Sequence, residues 1–143
     1  MKPIRCAAVL AALAICLATP AAAADIPEFR VDPFWPKPLP NNWIFGQIGG
    51  IATDRHDHVW VYQRPRTLTD DERGAAVDPP TSKCCKPAPP VMEFDAEGNL
   101  VQAWGGEGSG FDWPRSEHGI FVDASDHVWL AGNDKDNDAQ VLE

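Results

Sequence analysis

The segment Gly50-Ile51-Ala52-Thr53-Asp54-Arg55-His56-Asp57-His58-Val59-Trp60 returns as Gly119-Ile120-Phe121-Val122-Asp123-Ala124-Ser125-Asp126-His127-Val128-Trp129. The offset is 69 residues throughout, from Asp54 to Asp123 and from Trp60 to Trp129, and Gly, Ile, Asp, Asp, His, Val and Trp recur in register. Repetition on this scale marks an array whose units bury their faces against one another, and two copies cannot make such an array on their own. Each copy reads as strand, Asp-x-x-Asp-His turn, strand, with β-branched and aromatic residues on both sides of the turn.

The rest of the chain fits that unit. Strands are expected over Gly50 to Asp54, His58 to Gln63, Val91 to Asp95 and Leu100 to Trp104, with Ala96-Glu97-Gly98-Asn99 as the last turn. Val59 and Val61 point one way and Trp60 and Tyr62 the other, so the sheet is apolar on both faces, as a sheet stacked between neighbours is. Residues 48–104 therefore form a first blade, interrupted at 65–90 by a Pro-, Thr- and Asp-rich insertion. That insertion is longer than ordinary loops and either covers a functional mouth or forms an acidic flap. Gly105, Gly106, Gly108 and Gly110 make 105–117 a connector, and 118–143 an incomplete second blade that ends in a shortened strand over Ala139 to Glu143. Before the blades, residues 25–47 interleave Pro33, Pro36, Pro38 and Pro40 with Phe34, Trp35 and Trp43. This composition suits an extended segment pinned to a surface by its tryptophans.

The first 24 residues have the make-up of a secretory signal. Lys2 and Arg5 precede an apolar run from Cys6 to Ala18 that is too short to span a bilayer, and Ala22-Ala23-Ala24 offers the small residues of a cleavage site. Cys16 follows Ile15 rather than a small residue, which argues against lipid attachment there. The expected location is periplasmic or secreted, with no membrane association after cleavage. The formal net charge of −9 becomes more negative by two once Lys2 and Arg5 are removed, so nucleic acid is excluded as a partner. The cysteines left are the neighbours Cys84 and Cys85. Three readings stand for them: a disulfide to each other through a small strained ring, bonds to cysteines of another chain, or a thiolate pair for a soft metal.

The strand-turn-strand signature, followed by Met92-Glu93-Phe94-Asp95-Ala96-Glu97-Gly98-Asn99-Leu100-Val101-Gln102-Ala103-Trp104-Gly105, resembles the NHL repeat of six-bladed propellers. Within that group, the stretch from Ile48 to Ala131 is most similar to the peptidyl-α-hydroxyglycine α-amidating lyase family and its uncharacterised bacterial relatives. The resemblance implies an all-β antiparallel propeller. Because such a ring needs at least four blades of roughly 40 to 50 residues, this chain is expected to hold fewer than two, as an N-terminal fragment.

The resemblance also implies a site. In the family a channel zinc is held by three histidines from different blades, one of which opens a strand in a His-Gly-Leu element. Glu117-His118-Gly119-Ile120 matches that element, which makes His118 a zinc ligand. Arg64 falls where the family carries an active-site arginine, able to clamp a carboxylate or an oxyanion with its planar fork. Ile51 and Ile120 match positions whose backbone carbonyls hold a structural calcium. Zinc and calcium would belong to the complete form, and a small molecule or peptide would be its ligand.

Read without the resemblance, His118 opens a strand beside a glycine-rich connector and Arg64 is a solvated strand end. His58 and His127 read as turn residues, and the Asp134 to Asp138 cluster as a solvated loop lacking the glycine and terminal glutamate of a calcium loop. The expected function is that of an exported propeller related to the amidating lyases, inactive as this chain and prone to self-association. The alternatives are a non-catalytic propeller that binds a ligand or protein, and a calcium-dependent lactonase-like hydrolase.

Overall fold

Three turns of one design organise the structure. The computed structural model describes residues 26–143, so the segment read as a signal, 1–24, lies outside the described residues; the unit considered below runs from Asp32 to Glu143. In the first turn the Asp54 carboxylate accepts the backbone N–H groups of His56 at 2.8 Å and His58 at 3.0 Å. In the second copy Asp123 accepts those of Ser125 at 2.7 Å and His127 at 3.0 Å. Asp95 does the same with Asn99 at 2.8 Å, which makes Asp95 to Asn99 a third member that lacks the histidine. The fourth residue of each turn has positive φ, 60° at Asp57, 82° at Gly98 and 66° at Asp126, a conformation that Asp and Gly tolerate.

These turns join strands into antiparallel sheets. Strand β1 is Trp43–Ile44, β2 Gln47–Thr53, β3 Val59–Arg64, β4 Lys86–Pro87, β5 Val91–Phe94, β6 Leu100–Trp104, β7 Glu117–Val122, β8 Val128–Gly132 and β9 Val141–Leu142. A four-stranded sheet has the order β2-β3-β5-β6, and a three-stranded one the order β7-β8-β9. The two are antiparallel throughout, while β1 and β4 form a short parallel pair. The only helical pieces among the described residues are two single 3-10 turns, Pro40–Asn42 and Pro65–Thr67. The chain is thus all-β, with strand positions within two or three residues of those expected from the alternation.

Both faces of β3 are buried, which its sequence requires. On one face Trp60, Tyr62 and Val91 pack against Trp113, Val122 and Leu130, so the two sheets share one core. On the other, Val61, Met92 and Phe94 are covered by Trp35, Leu39, Trp43 and Phe45 of the proline-rich segment. Trp35 and Phe45 lie with ring centroids 5.6 and 6.2 Å from that of Phe94. Fully burying each such aromatic ring contributes about 1.5–3 kcal/mol, so the segment does for this face what a neighbouring sheet does for the other. The insertion ends by returning through β4 to the same core, where Ala88 is buried and its N–H donates to Ile44 at 3.0 Å. Gln63, fully buried, holds that return by donating to the carbonyls of Ala88 and Pro89 and accepting the N–H of Gly46.

Edge strands β2 and β7 lie against each other, and glycine makes this possible. A Cβ on Gly50 would meet the carbonyl oxygen of His118 at 2.6 Å. At Gly119, the same position one repeat later, a Cβ would meet nothing closer than the Ala131 methyl at 3.6 Å. Gly50→Ala is therefore expected to cost about 1–3 kcal/mol through overpacking. Gly119→Ala is expected to fall within about 0.5 kcal/mol of the parent chain. Thermal unfolding of both variants checks this, and equal effects would disprove the account of the contact.

Candidate functional site

Each sheet carries a bulge at its edge strand, and the second bulge presents a histidine. The β2–β3 register passes from Ile48 opposite Gln63 to Gly50 opposite Tyr62, leaving Gly49 over. The β7–β8 register passes from Glu117 opposite Gly132 to Gly119 opposite Ala131, leaving His118 over. A bulged residue is released from the ladder and its side chain re-aimed. His118 is exposed, and its imidazole has no hydrogen-bond partner among the described residues. The two bulges face each other, since a Cβ on Gly49 would lie 2.5 Å from the Glu117 oxygen and 3.2 Å from the His118 Cα.

Arg64, at the end of β3, reaches across this seam. Its Nε donates to the Glu117 carbonyl at 2.6 Å, and Nη2 makes a long contact of 3.5 Å with Asn133 Oδ1. Arg64 is thereby fixed to the backbone of the residue before His118. The two residues singled out from sequence sit at one seam between the sheets, joined through Glu117 rather than by a direct side-chain contact.

Glu117 is the hub that sequence reading missed. Its side chain is buried, accepts the Trp113 indole N–H at 2.9 Å and lies 3.3 Å from Arg66 Nη2. Arg66 also donates to the carbonyls of Pro114 and Arg115 and to Glu107. A buried carboxylate needs such partners, because stripping it of water is costly. Tyr62 packs edge-on against Trp113 with centroids 6.1 Å apart, and its buried hydroxyl has no hydrogen-bond partner among the described residues. Burial, with the Glu117 and Asp138 charges nearby, pushes the Tyr62 phenol well above its usual range, so it stays protonated. Beside this hub a cavity of about 360 Å³ is lined by Trp43, Pro65, Arg66, Pro89, Glu107 and Glu117.

Whether the residues present fit a zinc ion is a matter of counting donors. A closed or catalytic zinc site takes at least three protein ligands. His118 offers one free imidazole, and the group of three metal-capable side chains among the described residues does not include it. The donors at the seam therefore do not complete a zinc site. Ile51 and Ile120 occupy equivalent places on the edge strands β2 and β7, where alternate backbone carbonyls lack ladder partners.

The group of three is Asp54, His58 and Glu93. His58 Nδ1 lies 2.6 Å from Glu93 Oε1 and 3.8 Å from Asp54 Oδ2. The remaining carboxylate capacity is engaged: Trp60 Nε1 donates to Asp54 Oδ2 at 2.9 Å and Gln102 Nε2 to Glu93 Oε2 at 2.5 Å. The second sheet repeats the arrangement, with His127 Nδ1 3.1 Å from Asp123 Oδ2 and 3.7 Å from Glu143 Oε1. Trp129 takes the place of Trp60 at 3.4 Å from Asp123 Oδ2. An arrangement present once per sheet belongs to the repeat, so this is a clasp tying the turn to the third strand rather than a unique reactive centre. The sequence holds the signal for it, since Val91-Met92-Glu93 returns as Val141-Leu142-Glu143. The 65–90 insertion shifts that match out of the 69-residue register.

Other sequence candidates have structural surroundings. Cys84 and Cys85 are joined to each other in a disulfide on the insertion. Within the 134–138 loop, Asp138 accepts the N–H groups of Arg115 at 2.7 Å, Ser116 at 2.9 Å and Asp134 at 2.8 Å. That carboxylate brackets the connector against the end of β8.

The clasp makes stability depend on pH. The hydrogen bond to Glu93 raises the His58 pKa, burial opposes it, and the Asp54, Glu93 and Asp95 charges add to the rise, for a net shift upward from 6.5. The contribution of charged His58 is present below that ordinary value and is lost as pH climbs through the raised one. Asp123 runs the other way: the His127 and Ser125 N–H groups hold its carboxyl down at about 2, so its contribution is present above 3.8 and lost as pH falls toward 2. The melting temperature is expected to be level between pH 3.8 and 6.5, to decline above that range as His58 loses its charge and to decline below it as Asp123 is protonated. His58→Gln should remove the alkaline decline and leave the acid limb, and a decline persisting in that variant would exclude His58 as its source.

No protein-family model matches this chain, and no curated protein matches it.

Proposed function

We propose that the chain forms the first sheets of an exported NHL-type β-propeller related to the amidating lyases, in which His118 is one of three zinc ligands and Arg64 orients or neutralises an anionic group of the substrate. The observation that carries this reading is the bulged, solvent-facing His118 on an edge strand, with Arg64 anchored to the carbonyl of the preceding residue. Bulges recur beside active sites because they turn a side chain out of the ladder. Zinc in such a site would act as a Lewis acid at a carbinolamide oxygen. The bond of Arg64 to the Glu117 carbonyl fixes the direction of its planar guanidinium before a ligand arrives. Further sheets would have to supply the other two histidines, so this polypeptide alone is expected to be inactive. The calcium-carbonyl role of Ile51 and Ile120 belongs to the same proposal.

A binding role without catalysis has its own support in the cavity beside Glu117. Trp43 and four prolines, Pro65, Pro87, Pro89 and Pro90, line it, and the charge of Arg66 is spent on Glu107, Glu117 and two carbonyls. A small apolar molecule or a peptide side chain suits such a lining.

Zinc titration of the chain by calorimetry tests the first reading. Weak binding is expected, abolished by His118→Ala and unaffected by His58→Ala, with no cleavage of a hydroxyglycine-extended peptide. Stoichiometric zinc retained through dialysis, or peptide cleavage by this chain, would refute the need for further sheets. Loss of binding in His58→Ala alone would move the metal to the clasp and sink the His118 assignment.

A further inference from the structure

The wall of the cavity beside Glu117 offers a ligand little that is polar. Pro65, Pro87, Pro89 and Pro90 have no backbone N–H to give, and the Ala88 N–H is engaged by the Ile44 carbonyl. The acceptors are taken as well. Gln63 donates through Nε2 to the carbonyls of Ala88 at 2.7 Å and Pro89 at 3.1 Å, and through its backbone N–H to that of Pro90 at 2.8 Å. The polarity of the cavity is therefore concentrated in three charged side chains, Arg66, Glu107 and Glu117.

These three are not held alike. Arg66 Nη2 donates to the carbonyls of Pro114 at 2.7 Å and Arg115 at 2.6 Å and lies 3.3 Å from Glu117 Oε1. Glu117 is itself buried and tied to Trp113, so the guanidinium is fixed from that side. Its other terminal nitrogen, Nη1, donates to Glu107 at 3.0 Å. The Glu107 side chain is 80% exposed, and this is its one ion pair among the described residues. Glu107 rides on a turn between Gly106 at φ 102° and Gly108 at φ 84°, and a Cβ on Gly108 would meet nothing within 4 Å. Such a turn has the conformational freedom and the space to carry Glu107 away without unpacking the core.

An exposed ion pair contributes little to stability, so its displacement loses little. The anchoring decides which half is displaced: Glu107 can leave and Arg66 cannot. A cation competing for Glu107 would stay beside the fixed guanidinium and be repelled, whereas an anion in place of Glu107 meets a donor already oriented.

We infer that the cavity binds a small organic carboxylate, whose charged group displaces Glu107 from Arg66 Nη1 and whose apolar body lies along Trp43 and the four prolines. Glu107 is then a resident competitor, a carboxylate that holds the anion position until the ligand arrives. A volume of about 360 Å³ suits an acid built on a single ring. The inference rests on the binding reading of this cavity and on neither zinc nor the propeller.

Three probes of similar shape and different charge test it by calorimetry on the native chain: phenylacetate, phenylacetamide and phenethylamine. Phenylacetate is expected to bind at least about tenfold more tightly than the amide, and phenethylamine not measurably. Glu107→Gln removes the competing charge from an exposed position, so it should tighten phenylacetate about two- to fivefold and leave the amide unchanged. In a proton–nitrogen correlation spectrum, phenylacetate should shift the amides of Gly106, Glu107 and Gly108 and leave those of His118 and Asn133 in place. Shifts at His118 and Asn133 instead would put the carboxylate on Arg64 and overturn the inference. Phenylacetate binding that is unchanged or weaker in Glu107→Gln overturns it too, as does tighter binding of phenethylamine. Equal affinity for acid and amide overturns it while leaving the cavity an apolar binding site. Absence of binding by all three probes overturns the inference and the binding reading together.

Discussion

Burial of β3 on both sides is the constraint from which the rest follows. A strand reading Val59-Trp60-Val61-Tyr62-Gln63 cannot leave either face in water without a large apolar exposure. One side is closed by a second sheet and the other by aromatic residues of the proline-rich segment. Even Gln63, fully buried, fits only because its amide is used completely, holding the insertion's return and the N–H of Gly46. Close sheet stacking then brings edge strands together, glycines at 49 and 50 become necessary, and the bulge at His118 faces the seam.

Arg64 and Glu117 show how stability and chemistry share that seam. The Arg64 guanidinium crosses between sheets to a backbone carbonyl, and the buried Glu117 carboxylate is satisfied by Trp113 and Arg66. Breaking the latter set would leave an uncompensated buried charge, which costs more than the intact pairing contributes. Arg64 is partly used and partly free, suited to orienting a ligand with little further ordering. By contrast the Asp54–His58–Glu93 clasp, though it gathers metal-capable atoms, recurs in the second sheet and has its lone pairs engaged. Repetition separates it from a site better than proximity does.

The all-β character, the turns and the two-faced apolarity were legible because they depend on local chemistry: Asp at the turn start, a residue tolerant of positive φ at its fourth position, and alternation of large apolar side chains. The Trp35 and Trp43 pinning was legible for the same reason. The Asp95 turn was readable only as a generic turn, since Asn99 replaces the histidine that marked the others. Glu117, Arg66 and Gln63 were not legible, because their roles come from pairings between segments far apart in the chain. The bulge at His118 was hidden too: a residue left out of a ladder depends on how two strands register, and a His-Gly pair has no periodicity to announce it.

The two outer faces of the stack are not equivalent, and this gives the array a direction. The face formed by Val61, Met92 and Phe94 corresponds through the repeat to the side of the second sheet that Leu130 and Leu142 occupy, so it is the type that meets a preceding sheet. Here Trp35, Leu39, Trp43 and Phe45 already fill that position. The rings of Trp35 and Phe45 pack at a tilt onto that of Phe94, and Gly98 has no room for a Cβ because Trp35 presses on it. Growth by stacking is therefore open only beyond the second sheet. In the propeller reading, a ring that returns to its start meets the aromatic segment before it meets the first sheet, so closure would have to engage Trp35 and Trp43 or displace them. Displacement would expose four large side chains to gain a sheet of comparable apolar area, which leaves little net driving force. Engagement is the favoured arrangement, with the proline-rich segment wedged between the first and last sheets.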